Sequence, residues 1–196
     1  MNKELKKYED IIKELMGDKR FKHSVNVADM SVKLAKKFGA DEDKAYIAGI
    51  LHDCQKEADK TVMWEEAEKS GFYIDPAERD CFKLWHGIAG AYYVKNELKI
   101  DDTDILNAIR FHTVGRSDMS VIEKIVFLAD MVSKERDYPH VEEYRKSVLE
   151  DLDNGMFQTL RWSITKTLGT GGRVPLCTLE AYNFYSGFKS GSLMPL

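Results

Sequence analysis

Thiols are scarce in this chain: Cys54, Cys81 and Cys177 are its only cysteines, and no two of them form the C-x-x-C spacing of zinc or redox motifs. An odd, scattered set argues against a disulfide framework and points to a reducing cytoplasm. Basic charge is not in excess either, with 29 Lys and Arg against 33 Asp and Glu. The overall field therefore disfavours polyanions and excludes non-specific nucleic-acid binding, although a small phosphorylated ligand would respond to local charge. No segment approaches the ~20 apolar residues of a membrane helix. The opening MNKELKKYEDIIKELMGDKR interrupts Leu5, Ile11, Ile12 and Leu15 with charges, so it lacks the apolar core of a signal peptide. Runs of alternating β-branched residues are few, and neither an internal repeat nor a low-complexity linker is present.

What remains is a series of amphipathic segments broken by turn signals, which predicts an all-α fold. The first helix should end near Gly17, and a second should run from Arg20 to Phe38, with Gly39 as its stop and Asp41 capping the next, AYIAGILHD. Further helices are expected around Trp64 to Lys69 and over LWHGIAGAYYVKNEL, DILNAIRFH and MSVIEKIVFLADMVS. Beyond Pro139, VEEYRKSVLEDLDNGMFQTLRWSITKTLG should form one or two helices, and the tail after Gly169 is expected to be irregular. GTGG at 169 to 172 lacks the Lys-Ser/Thr of a phosphate loop and reads as a flexible turn.

Several polar residues fall on faces that should be buried. His23 shares a helical face with Val27, Met30 and Leu34, and His52 with Ala45 and Ala48. His86 lies with Ala89, Gly90 and Tyr93, His112 with Ile105, Ala108 and Ile109, and Asp130 with Val126 and Phe127. One buried histidine is usually a hydrogen-bonded core residue. Four inward histidines, one followed directly by Asp53, and a further inward aspartate demand a cation, because an unpaired buried carboxylate costs several kcal/mol. Imidazole and carboxylate ligands suit Fe, Mn, Zn, Co or Ni. Adjacent helical residues diverge by about 100°, so His52 and Asp53 can share a site only against the helix edge, an arrangement that two ions bridged by Asp53 and a hydroxide would satisfy. The expected chemistry is hydrolysis of a phosphoester or phosphoanhydride.

The order H…HD…H…H…D, carried by His23, His52, Asp53, His86, His112 and Asp130, resembles the HD-domain metallophosphohydrolases. The phrases FKHSVNVADMSVKLAKKFGADEDKAYIAGILHDCQK, HGIAGA, AIRFHTVGRSDMSVIEKIVFLADMVS and VEEYRKSVLEDLD look like the YqeK branch, bacterial symmetrical diadenosine tetraphosphate hydrolases, over most of residues 15 to 185. The resemblance implies an HD-domain helical bundle, a di-iron-type centre and cleavage of the dinucleotide at its middle phosphoanhydride into two ADP. Manganese, cobalt and zinc also suit the ligands. One domain over residues 1–196 is expected, with a motif core at about 20–135 and a helical extension and tail at 136–196, in a cytoplasmic enzyme that could form a homodimer.

Lys56, one turn after the HD pair, and Arg116, beyond the His112 helix, are the leading candidates to touch phosphate and assist catalysis with Asp53; Arg20 and Arg136 are further substrate-binding candidates. Ser24 and Thr113 flank ligands and could orient them or serve the backbone. The family usually carries E-P-N-R after its last aspartate, where this chain has Ser133-Lys134-Glu135-Arg136, and His140 stands where glycine is commoner, reading as a surface loop residue. Two other readings use the same residues: an HD nucleotidase or phosphodiesterase acting on mononucleotides or cyclic nucleotides, and a non-catalytic HD signalling module, which should have lost ligands where this chain has all six.

Overall fold

The computed structural model describes residues 3–196; Met1 and Asn2, at the start of the charged opening stretch, lie outside the described residues. The chain forms α1 (Lys3–Leu15), α2 (Asp18–Phe38), α3 (Glu42–Leu51), α4 (Lys60–Lys69), α5 (Pro76–Arg79) and α6 (Phe82–Asn96), then α7 (Thr103–Phe111), α8 (Val121–Val132), α9 (Val141–Glu150), α10 (Leu152–Gly169) and α11 (Leu176–Tyr185). Among the described residues there is no strand, and no helix is long and apolar enough to cross a membrane.

Local signals set most boundaries. The Asp41 side chain accepts from the Lys44 N–H and opens α3, while Ser120 and Glu123 form a reciprocal capping box at the start of α8. α2 stops at Gly39 as expected. The segment after Pro139 forms two helices, because Asp151 leaves helical geometry and caps α10 through the Asp153 and Asn154 N–H groups.

One hydrophobic cluster runs from Leu5 to Tyr185, with α2, α3, α7 and α8 packed around it. Close approach of those helices depends on missing side chains. A Cβ on Gly49 would stand 2.8 Å from Ser31 Oγ and 3.0 Å from Ala28 Cα, so α3 rests directly on α2. Gly87 plays the same part between α6 and α7, where a Cβ would meet the Arg110 carbonyl oxygen at 2.9 Å. These crossings bring His52 towards His23 and His86 towards His112.

The tail is not irregular throughout. Residues 176–185 form α11, whose Thr178, Ala181 and Tyr185 are buried at spacings of three and four against α10. The Met119 N–H donates to the Tyr185 hydroxyl at 3.0 Å. Asp75 ties this helix down: one carboxylate oxygen accepts from the Ala77 and Glu78 N–H groups at the start of α5, and the other accepts from the Leu176 N–H at 2.8 Å. Glu78 in turn pairs with Arg110 of α7 at 2.8 Å, and both side chains are buried. Exposed Leu176 and Leu179 on the other side of α11 blur its periodicity, which is why sequence pattern alone misses the helix.

Candidate metal centre and groove

His52 and His112 occupy equivalent places, each just past the last turn of its helix. Each donates its Nδ1–H to the carbonyl three residues earlier, His52 to Gly49 and His112 to Ile109, both at 2.7 Å. The ring is thereby fixed with its Nε2 lone pair facing inward. Beyond His52 the chain tightens into successive i to i+3 turns, with the Cys54 N–H donating to the Leu51 carbonyl and the Lys56 N–H to that of Asp53. Leaving the α-helical path resolves the divergence expected of adjacent residues: Asp53 Oδ2 lies 3.5 Å from His52 Nε2.

Asp53 is the hub. Its Oδ1 lies 3.2 Å from His86 Nε2 and 3.5 Å from His112 Nε2, and its Oδ2 lies 3.8 Å from His23 Nε2. The His86 and His112 Nε2 atoms are themselves only 3.0 Å apart, and His23 Nε2 faces Asp130 Oδ1 at 3.0 Å. All six expected ligands therefore converge. Two overlapping sets, His23 with His52 and Asp130, and His52 with Asp53 and His112, place their ligand atoms within 4.8 Å of one another.

The donor set fits transition-metal ions. His52 Nε2 is buried without a hydrogen-bond partner, an arrangement that is costly unless a cation completes it. Burial pushes the His52 and His86 imidazoles down to about 4, so both are neutral at pH 7, the form in which an imidazole can bind a metal. Burial alone would raise Asp53, yet the surrounding histidines hold it well below the usual carboxylate range; for Asp130 the His23 hydrogen bond and the nearby cationic groups have the same effect. His23 moves the other way, since its contacts with Asp130 and Glu135 outweigh the lowering effect of burial.

Cations surround this cluster. Arg20 donates to Asp53 Oδ2 at 2.7 Å, and Arg136 donates to the Asp130 carboxylate and, at 2.8 Å, to its backbone carbonyl. The Lys56 amine stands 3.1 Å from His86 Nε2, and burial lowers its proton affinity. Arg116 does not join them. Its guanidinium grips the buried Glu123 carboxylate at 2.5 and 2.7 Å and donates to the Ser117 carbonyl at 3.1 Å, and it does not line the groove described below. The position chosen for it from sequence is thus taken up by the α8 capping box.

Sequence reasoning missed Glu135. This carboxylate accepts from Asn26 at 2.6 Å and Ser133 at 2.7 Å and contacts His23 Nδ1, orienting the ring from behind. The altered Ser133-Lys134-Glu135-Arg136 segment therefore braces the centre through three of its four side chains. A carboxylate five residues beyond an inward-facing Asp130 was the available signal. Ser24 faces the Met16 sulfur at 3.7 Å and braces no ligand, and His140 is a partly exposed residue at the start of α9, bonded to Glu143 at 2.8 Å. Thr113 lines the groove.

The centre opens into a groove of ≈ 770 Å³ lined by His23, His112 and Asp130 on one side and by Thr159, Trp162 and Lys166 of α10 on another. Lys19, Arg20 and Arg136 supply positive charge, and Phe127, Met131 and Tyr138 supply apolar surface. The α10 wall was not identified from sequence, since its residues carry no motif.

A family model described as HD domain matches residues 20–135. A protein of Halalkalibacterium halodurans named "Bis(5'-nucleosyl)-tetraphosphatase, symmetrical" is 38% identical over 179 residues, covering 88% of this chain and 92% of that protein. One of the same name from Bacillus subtilis is 36% identical, covering 76% and 80%. A crystal structure titled as a predicted HD superfamily hydrolase involved in NAD metabolism, from Clostridium acetobutylicum, superposes with a TM-score of 0.89 at 36% identity over 94% of this chain and 97% of that one. The chain belongs to the HD domain family and, within it, to the family of the relatives named symmetrical bis(5'-nucleosyl)-tetraphosphatase.

Proposed function

We propose that the protein is a metal-dependent hydrolase that cleaves diadenosine tetraphosphate at its middle phosphoanhydride into two ADP. The observation that carries this reading is the convergence of four histidines and two aspartates on one buried point beside a groove of mixed cationic and apolar lining. The names of the relatives supply the substrate class.

His23, His52, Asp53, His86, His112 and Asp130 would hold two transition-metal ions, with iron as the favoured identity. Bound there, such ions make water nucleophilic at neutral pH and neutralise phosphate oxygens. Hydrolysis joins water oxygen to one central phosphorus and breaks its bond to the bridging oxygen, releasing two ADP and two protons. Arg20 and Arg136 hold the Asp53 and Asp130 carboxylates in place and turn their remaining N–H groups to the polyphosphate. Lys56, with its proton affinity lowered by burial, is the residue suited to hand a proton or hydrogen bond to the departing oxygen. The three free thiols suit a reducing cytoplasm.

The test is anion-exchange analysis of products from diadenosine tetraphosphate, using protein loaded in turn with iron, manganese, cobalt or zinc. ADP as the sole early product, abolished by a chelator, is the expected result. AMP plus ATP, or no turnover with any metal, would overturn the assignment and turn attention to mononucleotides.

A further inference from the structure

Beside the groove lies a second cavity of ≈ 330 Å³, lined by Tyr138, Pro139, Trp162, Thr165, Lys166 and Leu196. Its volume falls within the ~300–1,000 Å³ range of small-molecule sites. Tyr138, Trp162 and Lys166 line both cavities, so the two adjoin across one aromatic pair. The Tyr138 and Trp162 rings lie 5.5 Å apart at 34°, and the Lys166 ammonium stands 4.5 Å from the Trp162 ring centroid. Among the described residues, no acidic side chain lines this chamber.

Its outer wall is brought in by the tail. Residues 189–196 return along α10, held by polar side chains: the Met194 N–H donates to buried Gln158 Oε1 at 3.2 Å, and Gln158 Nε2 donates to the Ser192 carbonyl at 3.3 Å. Arg161 donates to the Met194 carbonyl at 2.7 Å, and the Tyr144 hydroxyl donates to that of Pro195 at 3.2 Å. This strap delivers Leu196 opposite Trp162.

We infer that this chamber receives one of the two nucleosides of a dinucleoside polyphosphate, its base against Trp162 and Tyr138 and the adjoining phosphate on Lys166. The inference rests on the dinucleotide reading above and deepens it. A substrate cut at its centre must present two nucleosides on opposite sides of the attacked bond, and the groove beside the ligand cluster shares Tyr138, Trp162 and Lys166 with this space. An aromatic pair offers a π-face to a base, and a lone ammonium at the passage suits the phosphate next to it.

The test uses the full-length, metal-loaded protein with two substrates, diadenosine tetraphosphate and adenosine 5'-tetraphosphate, which has one nucleoside. Trp162→Ala removes the base platform; Thr165→Trp, at an exposed position, fills the chamber without touching the core. Both variants should raise KM for the dinucleotide about tenfold; Thr165→Trp, whose site lines the chamber and not the groove, should also leave kcat within threefold and change kcat/KM for the one-nucleoside compound less than threefold. Unchanged KM values, or equal losses on both substrates in Thr165→Trp, would overturn the chamber while ADP production by the unaltered protein upheld the hydrolase reading.

A third measurement separates the two ideas. In a Trp64→Phe/Trp85→Phe background, Trp162 is the one remaining tryptophan, and its emission should be quenched on binding diadenosine tetraphosphate. If the unaltered protein produced no ADP, the hydrolase reading would fall, and the chamber would be judged by that quenching, with unchanged emission counting against it.

Discussion

At the scale of single residues, Asp53 and Arg116 illustrate how alike two charged positions look in sequence and how differently they are placed. Asp53 touches four histidines and Arg20, so Asp53→Ala should remove bound metal and hydrolysis together, a joint loss checked by elemental analysis and product assay on one preparation. Arg116 is the partner of Glu123, which is 1% exposed. Arg116→Ala would leave that carboxylate buried and unpaired, costing about 2–4 kcal/mol, while kcat/KM of the folded enzyme should change less than threefold. Denaturant titration beside kinetics distinguishes this from a phosphate-binding role, which would reverse the two effects. Glu135 acts through His23, so Glu135→Gln should weaken metal retention ~10–100-fold, the usual consequence of removing a bond that orients a ligand. Equilibrium dialysis against a competing chelator measures it.

Elements explain both what was legible and what was not. The inward faces carrying His23, His86, His112 and Asp130 follow from helical periodicity, and the caps at Gly39 and Asp41 lie where turn chemistry places them. The six residues that converge on the candidate centre were therefore readable from their neighbours and their order. The meeting of His52 with Asp53 was not, because it depends on the chain abandoning the α-helix at that point for tighter turns. α11 and the α10 wall were also hidden: Trp162, Ser163 and Lys166 belong to the groove only because α10 packs alongside α8, a relation that no local pattern encodes. The small residues near His52 and His86 were visible as room for a site, but their mechanical role emerges at helix crossings. Gly87→Ala would press a methyl group against the Arg110 carbonyl and so push α6 away from α7, costing ~1–3 kcal/mol as overpacking does. Thermal unfolding should register that cost, and metal content of the surviving folded protein should fall as His86 and His112 separate.

For the whole molecule, the buried histidines couple metal to stability. In chelator-treated protein, His52 and His86 have folded-state values of about 4 against the ordinary 6.5. Between those limits the unfolded chain binds protons that the folded one does not, so stability falls as pH falls from about 6.5 to 4. His23 has the opposite sign: its folded value is raised, so its contribution is complete below 6.5 and is lost as pH rises through that folded value. Two against one, the net effect of acidification is destabilising, and the depressed Asp53 and Asp130 extend the loss below 3.8. Melting temperatures of the chelated protein from pH 7 to pH 4 should decline steadily; a flat or rising profile would contradict the assigned neutral states. Loaded protein should hold its melting temperature to lower pH until protons displace the metal.

The carboxylate of Asp75 joins the start of α5 to the start of α11, two points separated by 101 residues, and α5 carries the Glu78 that anchors Arg110, two residues before His112. The consequence is one of timing. During synthesis all six candidate ligands leave the ribosome by Asp130, yet the clasp that steadies the His112 arm cannot close until Leu176 has emerged. Nascent chains arrested between these two points should carry every ligand and still take up metal poorly. Maturation of the centre should then wait for the emergence of α11, well after the last residue of the histidine and aspartate cluster.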